Sequence, residues 1–74
     1  MNDWQDRLVK EYKELKEKYN ALHKAIVACR AGVLPVTPLE GVEMWEEQAS
    51  AMGKYLFVLE KRMAVHNIEV PRED

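Results

Sequence analysis

Cysteine is nearly absent, since Cys29 is the single one among 74 residues. One thiol cannot form a disulfide within the chain, so a disulfide framework is excluded and a cytosolic protein is the natural interpretation. No apolar run reaches the length of a membrane span. The opening residues Met-Asn-Asp-Trp-Gln-Asp are acidic and lack the apolar core of a secretory signal. We therefore expect a cytoplasmic protein without a membrane partner.

The motifs of common enzyme classes are also missing. There is no glycine-rich phosphate loop, no nucleophile elbow and no HExxH sequence. The two histidines and the cysteine lack the spacing of metal ligands. Two ExxE pairs, Glu14/Glu17 and Glu43/Glu46, resemble the pairs that hold Mg²⁺ in all-α nucleotide pyrophosphatases, but no ExxD accompanies them. We predict a protein that is not an enzyme and that has no cofactor and no metal site.

Charge is distributed unevenly along the chain. The net charge of −2 gives no overall attraction to a nucleic-acid polymer or an anionic membrane. The segment up to Arg30 nevertheless carries seven basic and five acidic side chains, against four and eight in the rest of the chain. This asymmetry permits a small anion site on the first part of the chain.

What is present is a heptad pattern that predicts a first helix. Its apolar residues recur at steps of four and three, as in an amphipathic helix that packs along one seam. The seam consists of Leu8, Tyr12, Leu15, Tyr19, Leu22, Ile26 and Cys29.

A proline- and glycine-containing linker separates this helix from a second one. Gly32 stands where a helix end favours a left-handed residue, and Pro35 cannot continue a helix. Thr37 offers an N-cap oxygen, Pro38 suits the first helical position, and Glu40 completes a capping box. The predicted organisation is one domain, with helix 1 over about 3–31, the linker over 32–37, helix 2 over about 38–66 and a tail over 67–74. The fold class is all-α, an antiparallel two-helix hairpin.

The second helix has an unusually wide apolar surface. Its main seam is Leu39, Val42, Trp45, Ala49, Met52, Leu56, Leu59 and Met63. A second stripe consists of Met44, Ala51, Tyr55, Val58 and Val65, and Phe57 adds a third direction. One partner helix cannot cover so wide a surface, so we expect the hairpin to assemble with further copies into a homo-oligomeric helical bundle. Gly53 within this helix predicts a close helix crossing, and Ile68 and Val70 are expected to pack as an extended arm.

Aromatic and basic residues mix on helix 1. Tyr12 lies within about a turn of Arg7 and Lys13. A tyrosine ring can stack on a nucleobase, and a lysine or arginine can hold a phosphate. The alternative is that Tyr12 and Tyr19 are core residues with their hydroxyls at the edge.

A longer pattern spans both helices. Its first half is W-Q-x-R-x-x-x-E-x-x-x-L, from Trp4 to Leu15. Its second half is E-Q-x-x-x-M-x-x-Y-x-x-x-L-x-x-R-M, from Glu47 to Met63. The pattern resembles the helical hairpin of phage anti-CBASS cyclic-oligonucleotide sponges, a domain shared with anti-Thoeris proteins.

The resemblance implies a phage anti-defence protein that assembles as a homohexamer. Such a protein sequesters cyclic dinucleotides and cyclic trinucleotides in the host cytoplasm without cleaving them. It also implies roles for three residues: Tyr12 stacks on the bases, Lys24 meets the phosphates, and Arg62 serves a trinucleotide pocket. Together with Arg7 and Lys13 these are the candidate ligand-binding residues. The alternative function is a helical-hairpin protein–protein interaction module with no small-molecule ligand, and an all-α pyrophosphatase is a third.

Overall fold

The computed structural model describes residues 3–34 and 38–71. Within them the chain forms two α-helices and no strand: α1 over Asp3–Arg30 and α2 over Val42–Val65.

Contacts at both ends show that the helices run in opposite directions. The ring centroid of Trp4, at the start of α1, lies 4.6 Å from that of His66, just after α2. At the other end, Arg30 binds the carboxylate of Glu46. The predicted all-α hairpin is therefore confirmed for the single chain.

The end of α1 is a Schellman motif built on Gly32. Gly32 has a positive φ of 76°. Its N–H donates to the carbonyl of Cys29 at 3.1 Å, and the N–H of Val33 donates to the carbonyl of Ala28 at 3.0 Å. These two bonds satisfy carbonyls that the helix end would otherwise leave without partners. The role predicted for Gly32 is confirmed.

The start of the second helix differs from the prediction. Thr37, the predicted N-cap, lies outside the described residues. Pro38 is not helical, and α2 begins at Val42 with Gly41 as its N-cap residue and no side-chain cap. Gly41 adopts φ 86°, far from helical values, and its N–H closes a turn onto the carbonyl of Pro38 at 3.1 Å. The predicted start at Pro38 is therefore wrong, because the glycine interrupts helical geometry before the first full turn.

Two residues of the expected first turn consequently have other roles. The carboxylate of Glu40 accepts a hydrogen bond from Nε1 of Trp45 at 3.1 Å. Leu39, predicted to lie on the main seam of helix 2, precedes α2 and is fully exposed. Its assignment to the seam is wrong for the same reason.

The core lies in the half of the hairpin that contains the chain ends. Its buried members are Leu8, Tyr12, Leu56, Leu59 and Met63. All five belong to the predicted seams, so the heptad pattern identified the buried face of both helices.

The segment after α2 folds back onto this core. Asn67 takes a left-handed φ of 57°, and the N–H of Ile68 donates to the carbonyl of Met63 at 2.8 Å. Ile68 and Val70 pack against the buried cluster. The predicted packing of this arm is confirmed.

Gly53 does not mark a close crossing of the two helices. A methyl group placed on it would lie 3.8 Å from Cε1 of Tyr19, which is ordinary van der Waals distance. The predicted close crossing is therefore wrong within the hairpin, since the gap between α1 and α2 at this level admits a larger residue.

Candidate functional site

Tyr12 lies in the core of its own hairpin. Only 4% of the residue is exposed, and its hydroxyl donates a hydrogen bond to Oε2 of Glu60 at 2.8 Å. In the single chain Tyr12 is thus a core residue with its hydroxyl at the edge, the alternative considered from the sequence. Its stacking on a ligand stays a prediction that requires the ring to be uncovered.

The four candidate cations are all exposed but do not converge. Lys24 follows Tyr12 by twelve residues, which is about 18 Å along the axis of α1. Arg62 lies two residues after Glu60, so the Tyr12–Glu60 bond puts it near the opposite end of the hairpin from Lys24. These two residues cannot reach adjacent phosphates of one small ligand from a single chain. If they share a site, different copies of the chain must supply them.

Arg7 lines a groove whose residues come from both helices and could not be grouped from the sequence. The groove has a cavity volume of about 310 Å³ and runs between one flank of α1 and Tyr55 of α2. We call it the Tyr55 groove. It is lined by Arg7, Lys10, Glu11, Glu14, Leu15, Lys18 and Tyr55. Lys13, another predicted ligand contact, is not among the lining residues.

The antiparallel register explains how this groove forms. Tyr12 contacts Glu60, and Tyr19 lies beside Gly53. Between these two levels the register puts Tyr55 opposite Lys18. Tyr55 is 44% exposed and lines the groove, so part of its surface is accessible there.

The Tyr55 groove carries a small excess of positive charge. Three basic and two acidic side chains line it. The one ion pair among them joins Nζ of Lys10 to Oε1 of Glu14 at 4.0 Å, a distance at which attraction is weak at the surface. Within residues 3–34 and 38–71 neither Arg7 nor Lys18 has an ion pair. These two cations are thus available to an anionic ligand.

The shorter of the two ion pairs among residues 3–34 and 38–71 lies away from this groove, at the linker end. Arg30 donates to Glu46 through Nε at 3.1 Å and through Nη2 at 2.7 Å. The hydrogen bond and charge of Arg30 hold the pKa of the Glu46 carboxylate below its usual value. The same hydrogen bond raises the pKa of Arg30. Both groups face solvent, so this pair joins the helix ends without forming a buried charged site.

A large apolar stripe lies beside the groove on α2. We call the residues predicted as a second stripe, Met44, Ala51, Tyr55, Val58 and Val65, the α2 stripe. All five are exposed in the single chain. On a different flank, Phe57 is also exposed, with Nζ of Lys61 4.8 Å above its ring. The hairpin therefore leaves uncovered the apolar surface from which the sequence predicted an oligomer.

Two further searches of the described residues concern metals and membranes. Among residues 3–34 and 38–71 no group of three or more His, Cys, Asp or Glu side chains could hold a metal ion. Neither α1 nor α2 is long and apolar enough to cross a membrane.

The sequence of this hairpin matches the family model named Sequestin over residues 2–65. Because that span is most of the chain, the protein belongs to the Sequestin family. The family name denotes the sequestering of a ligand, which agrees at that level with the sponge predicted from the sequence. No curated protein and no solved structure matches the chain.

Sequence reasoning missed Tyr55 as a candidate ligand contact. It placed Tyr55 in an apolar stripe and in the pattern of the family resemblance but gave it no ligand contact, because no short motif joins it to basic residues of α1. The signal that joins them is the hairpin register, which the structure supplies: residues of α1 and α2 lie side by side where their numbers sum to about 72, as for Tyr12 with Glu60 and Tyr19 with Gly53.

Proposed function

We propose that this protein is a phage anti-defence protein that binds and sequesters cyclic di- and trinucleotide immune signals without cleaving them. It acts in the host cytoplasm as a homo-oligomer, with six copies as the expected number. Membership of the Sequestin family supports the sequestering activity. The observation that supports a nucleotide ligand is the Tyr55 groove, which an exposed aromatic residue and three basic residues line together.

The chemistry of the groove suits a ligand that has both bases and phosphates. Stacking of a base on an aromatic ring contributes about 1–3 kcal/mol and tolerates any base. Arginine and lysine add charge-assisted hydrogen bonds to phosphate oxygens. Exposed cations also attract an anion less strongly as salt increases, so the affinity should fall with ionic strength.

The proposal excludes turnover as part of the function. A nucleophile needs an adjacent base, and phosphoryl chemistry needs metal ions or several positioned cations. The groove offers carboxylates, lysines, an arginine and a tyrosine on an open surface, an arrangement suited to binding.

A thermal-shift panel of cyclic di- and trinucleotides, with AMP as a mononucleotide control, tests the binding. Hits are then titrated by calorimetry, incubated with the protein and recovered after heat denaturation. We expect a rise in melting temperature, a defined stoichiometry and intact ligand by mass spectrometry. Recovery of a linear or hydrolysed product would instead indicate an enzyme.

A second function is favoured by the burial of Tyr12 and the exposure of the α2 stripe. In this alternative the hairpin is a protein–protein interaction module with no small-molecule ligand. It predicts that no nucleotide of the panel changes the melting temperature of a correctly assembled protein.

A further inference from the structure

We infer that Tyr55 supplies the ring that stacks on the ligand, and that the Tyr55 groove is the site where each chain engages it. Tyr12 is then a positioning residue of the hairpin core. This inference rests on the proposed function, and it assigns the ligand contact to a different helix from the one that the sequence predicted.

The first argument is the contrast between the two tyrosines. Tyr12 is 4% exposed and Tyr55 is 44% exposed. The Tyr12 ring belongs to the buried cluster, and its hydroxyl is bonded to Glu60. To stack on a ligand it would have to leave the core and break that hydrogen bond. Tyr55 already exposes part of its surface in the folded hairpin.

The second argument is the placement of the basic residues. Arg7, Lys10 and Lys18 line the same groove as Tyr55. Lys18 lies at the level of the ring, and Arg7 precedes it by eleven residues, or about 16 Å along α1. The groove therefore offers a ring at one end and cations along its length. This pattern fits an elongated anionic ligand with a base and more than one phosphate.

The third argument is the position of the groove beside the α2 stripe. Tyr55 belongs to both, so apolar contacts of another copy with Val58, one turn from Tyr55, would lie next to the ligand. The site thereby becomes more enclosed on assembly, and the exclusion of water strengthens its ionic contacts.

Two pairs of variants test the inference by calorimetry, with cyclic di-AMP and cyclic tri-AMP as probes. Tyr55→Ala should weaken binding about tenfold or more, and Tyr55→Phe should stay near wild type because the ring is kept. The matched control is Phe57→Ala, which removes an exposed aromatic ring from another flank of α2 and should leave affinity unchanged. Lys18→Ala should weaken binding and flatten its salt dependence. Its control Lys16→Ala removes the same charge from a residue outside the groove, where Nζ lies 5.7 Å from the ring centre of Tyr19.

The readouts separate failure of the inference from failure of the proposed function. Helix content by circular dichroism and mass by light scattering must match wild type for each variant. Because Tyr12→Ala would disrupt the core and Tyr12→Phe keeps the ring, neither change at Tyr12 tests stacking, and the decisive comparison is Tyr55→Ala against wild type. If wild type binds a probe and Tyr55→Ala binds it equally well, the inference is overturned and the proposed function stands. If wild type binds neither probe, both are overturned.

Discussion

Tyr12 and Tyr55 carry the same side chain but have different roles, because their surroundings differ. Tyr12 combines an apolar ring in the core with a hydroxyl that reaches Glu60 at the edge. Tyr55 presents its ring to solvent beside basic residues. The first stabilises the hairpin, and the second is suited to contact a ligand.

The hydrogen bond from Tyr12 to Glu60 should contribute measurably to stability. Tyr12→Phe keeps the buried ring and removes the hydroxyl, so it should lower the free energy of unfolding by about 1 kcal/mol. Urea denaturation followed by circular dichroism measures the change. The control is Tyr55→Phe, whose hydroxyl lies on an exposed residue and whose stability should equal that of wild type. Equal losses for both variants would contradict a special role for the Tyr12 hydroxyl.

Gly53 and Gly41 should respond to alanine in opposite directions. Gly53 lies inside α2 with room for a methyl group, so Gly53→Ala should stabilise the chain by about 1 kcal/mol through helix propensity. Gly41 has φ 86°, and a methyl group there would lie 3.0 Å from Oε2 of Glu43. Gly41→Ala should therefore destabilise by about 1–2 kcal/mol.

Thermal unfolding at equal protein concentration compares the two glycine variants. If Gly53→Ala lowers both stability and oligomer mass, another copy of the chain approaches this glycine closely. Such a result would mean that the close crossing predicted at Gly53 lies at an interface between copies and not within the hairpin.

At the scale of the elements, α1 and α2 are joined differently at their two ends. Apolar packing and the returning arm of Ile68 and Val70 hold the end with the core. At the linker end the exposed pair of Arg30 and Glu46 connects the helices. The connection at the linker end is therefore expected to respond to pH and salt.

Acid should weaken this connection through Glu46. Its pKa is lowered in the folded state by the hydrogen bond and charge of Arg30. The stabilisation is therefore present above the usual carboxylate pKa and is lost as pH falls through the lowered value. Wild type should be slightly more stable than Glu46→Gln at pH 7, and the two should converge at an acidic pH below the lowered pKa of Glu46. Urea midpoints at both pH values, in low and high salt, measure a difference that salt should reduce.

A pH-independent difference between wild type and Glu46→Gln would mean that the ion pair does not contribute. Glu47→Gln is the matched control, because it removes the same charge from the adjacent exposed residue and should not alter the pH profile in this way.

At the scale of the whole molecule, the hairpin buries few side chains and leaves the α2 stripe uncovered. Monomeric proteins rarely expose a contiguous apolar surface of this kind. The observation agrees with the oligomer that we propose, in which further copies cover the apolar residues of the stripe that flank the Tyr55 groove. In that oligomer the stripe joins copies of the chain, whereas the main seam holds α1 and α2 together.

Val58→Asp should disrupt the assembly. Val58 is 45% exposed in the single chain, and a carboxylate there would be buried without a partner if another copy covers it. Light scattering should give several times 8.6 kDa for wild type and a much lower mass, or unfolding, for the variant. Val33→Asp is the control, since it adds the same charge to an exposed valine in the linker. A wild-type protein that is a stable monomer at micromolar concentration would contradict the proposal.

Periodicity within each helix was sufficient to predict the hairpin. Apolar residues at steps of three and four mark one face of a helix, and they identified all five buried residues. The end of α1 at Gly32 was equally predictable, because a glycine followed a few residues later by a proline ends a helix for local steric reasons. The start of α2 was predicted wrongly. Thr37, Pro38 and Glu40 were interpreted as capping signals, and the positive φ of Gly41 was not foreseen.

The sequence by itself therefore determined two amphipathic helices, their antiparallel arrangement and their buried faces, because each depends on contacts or steric limits close along the chain. Only the tertiary structure decided the axial register of α1 against α2, because a heptad pattern selects a face of a helix but not its displacement along a partner. That register buries Tyr12 against Glu60 and opens Tyr55 beside Arg7 and Lys18. Which tyrosine can meet a ligand is thus a property of how the two helices pack.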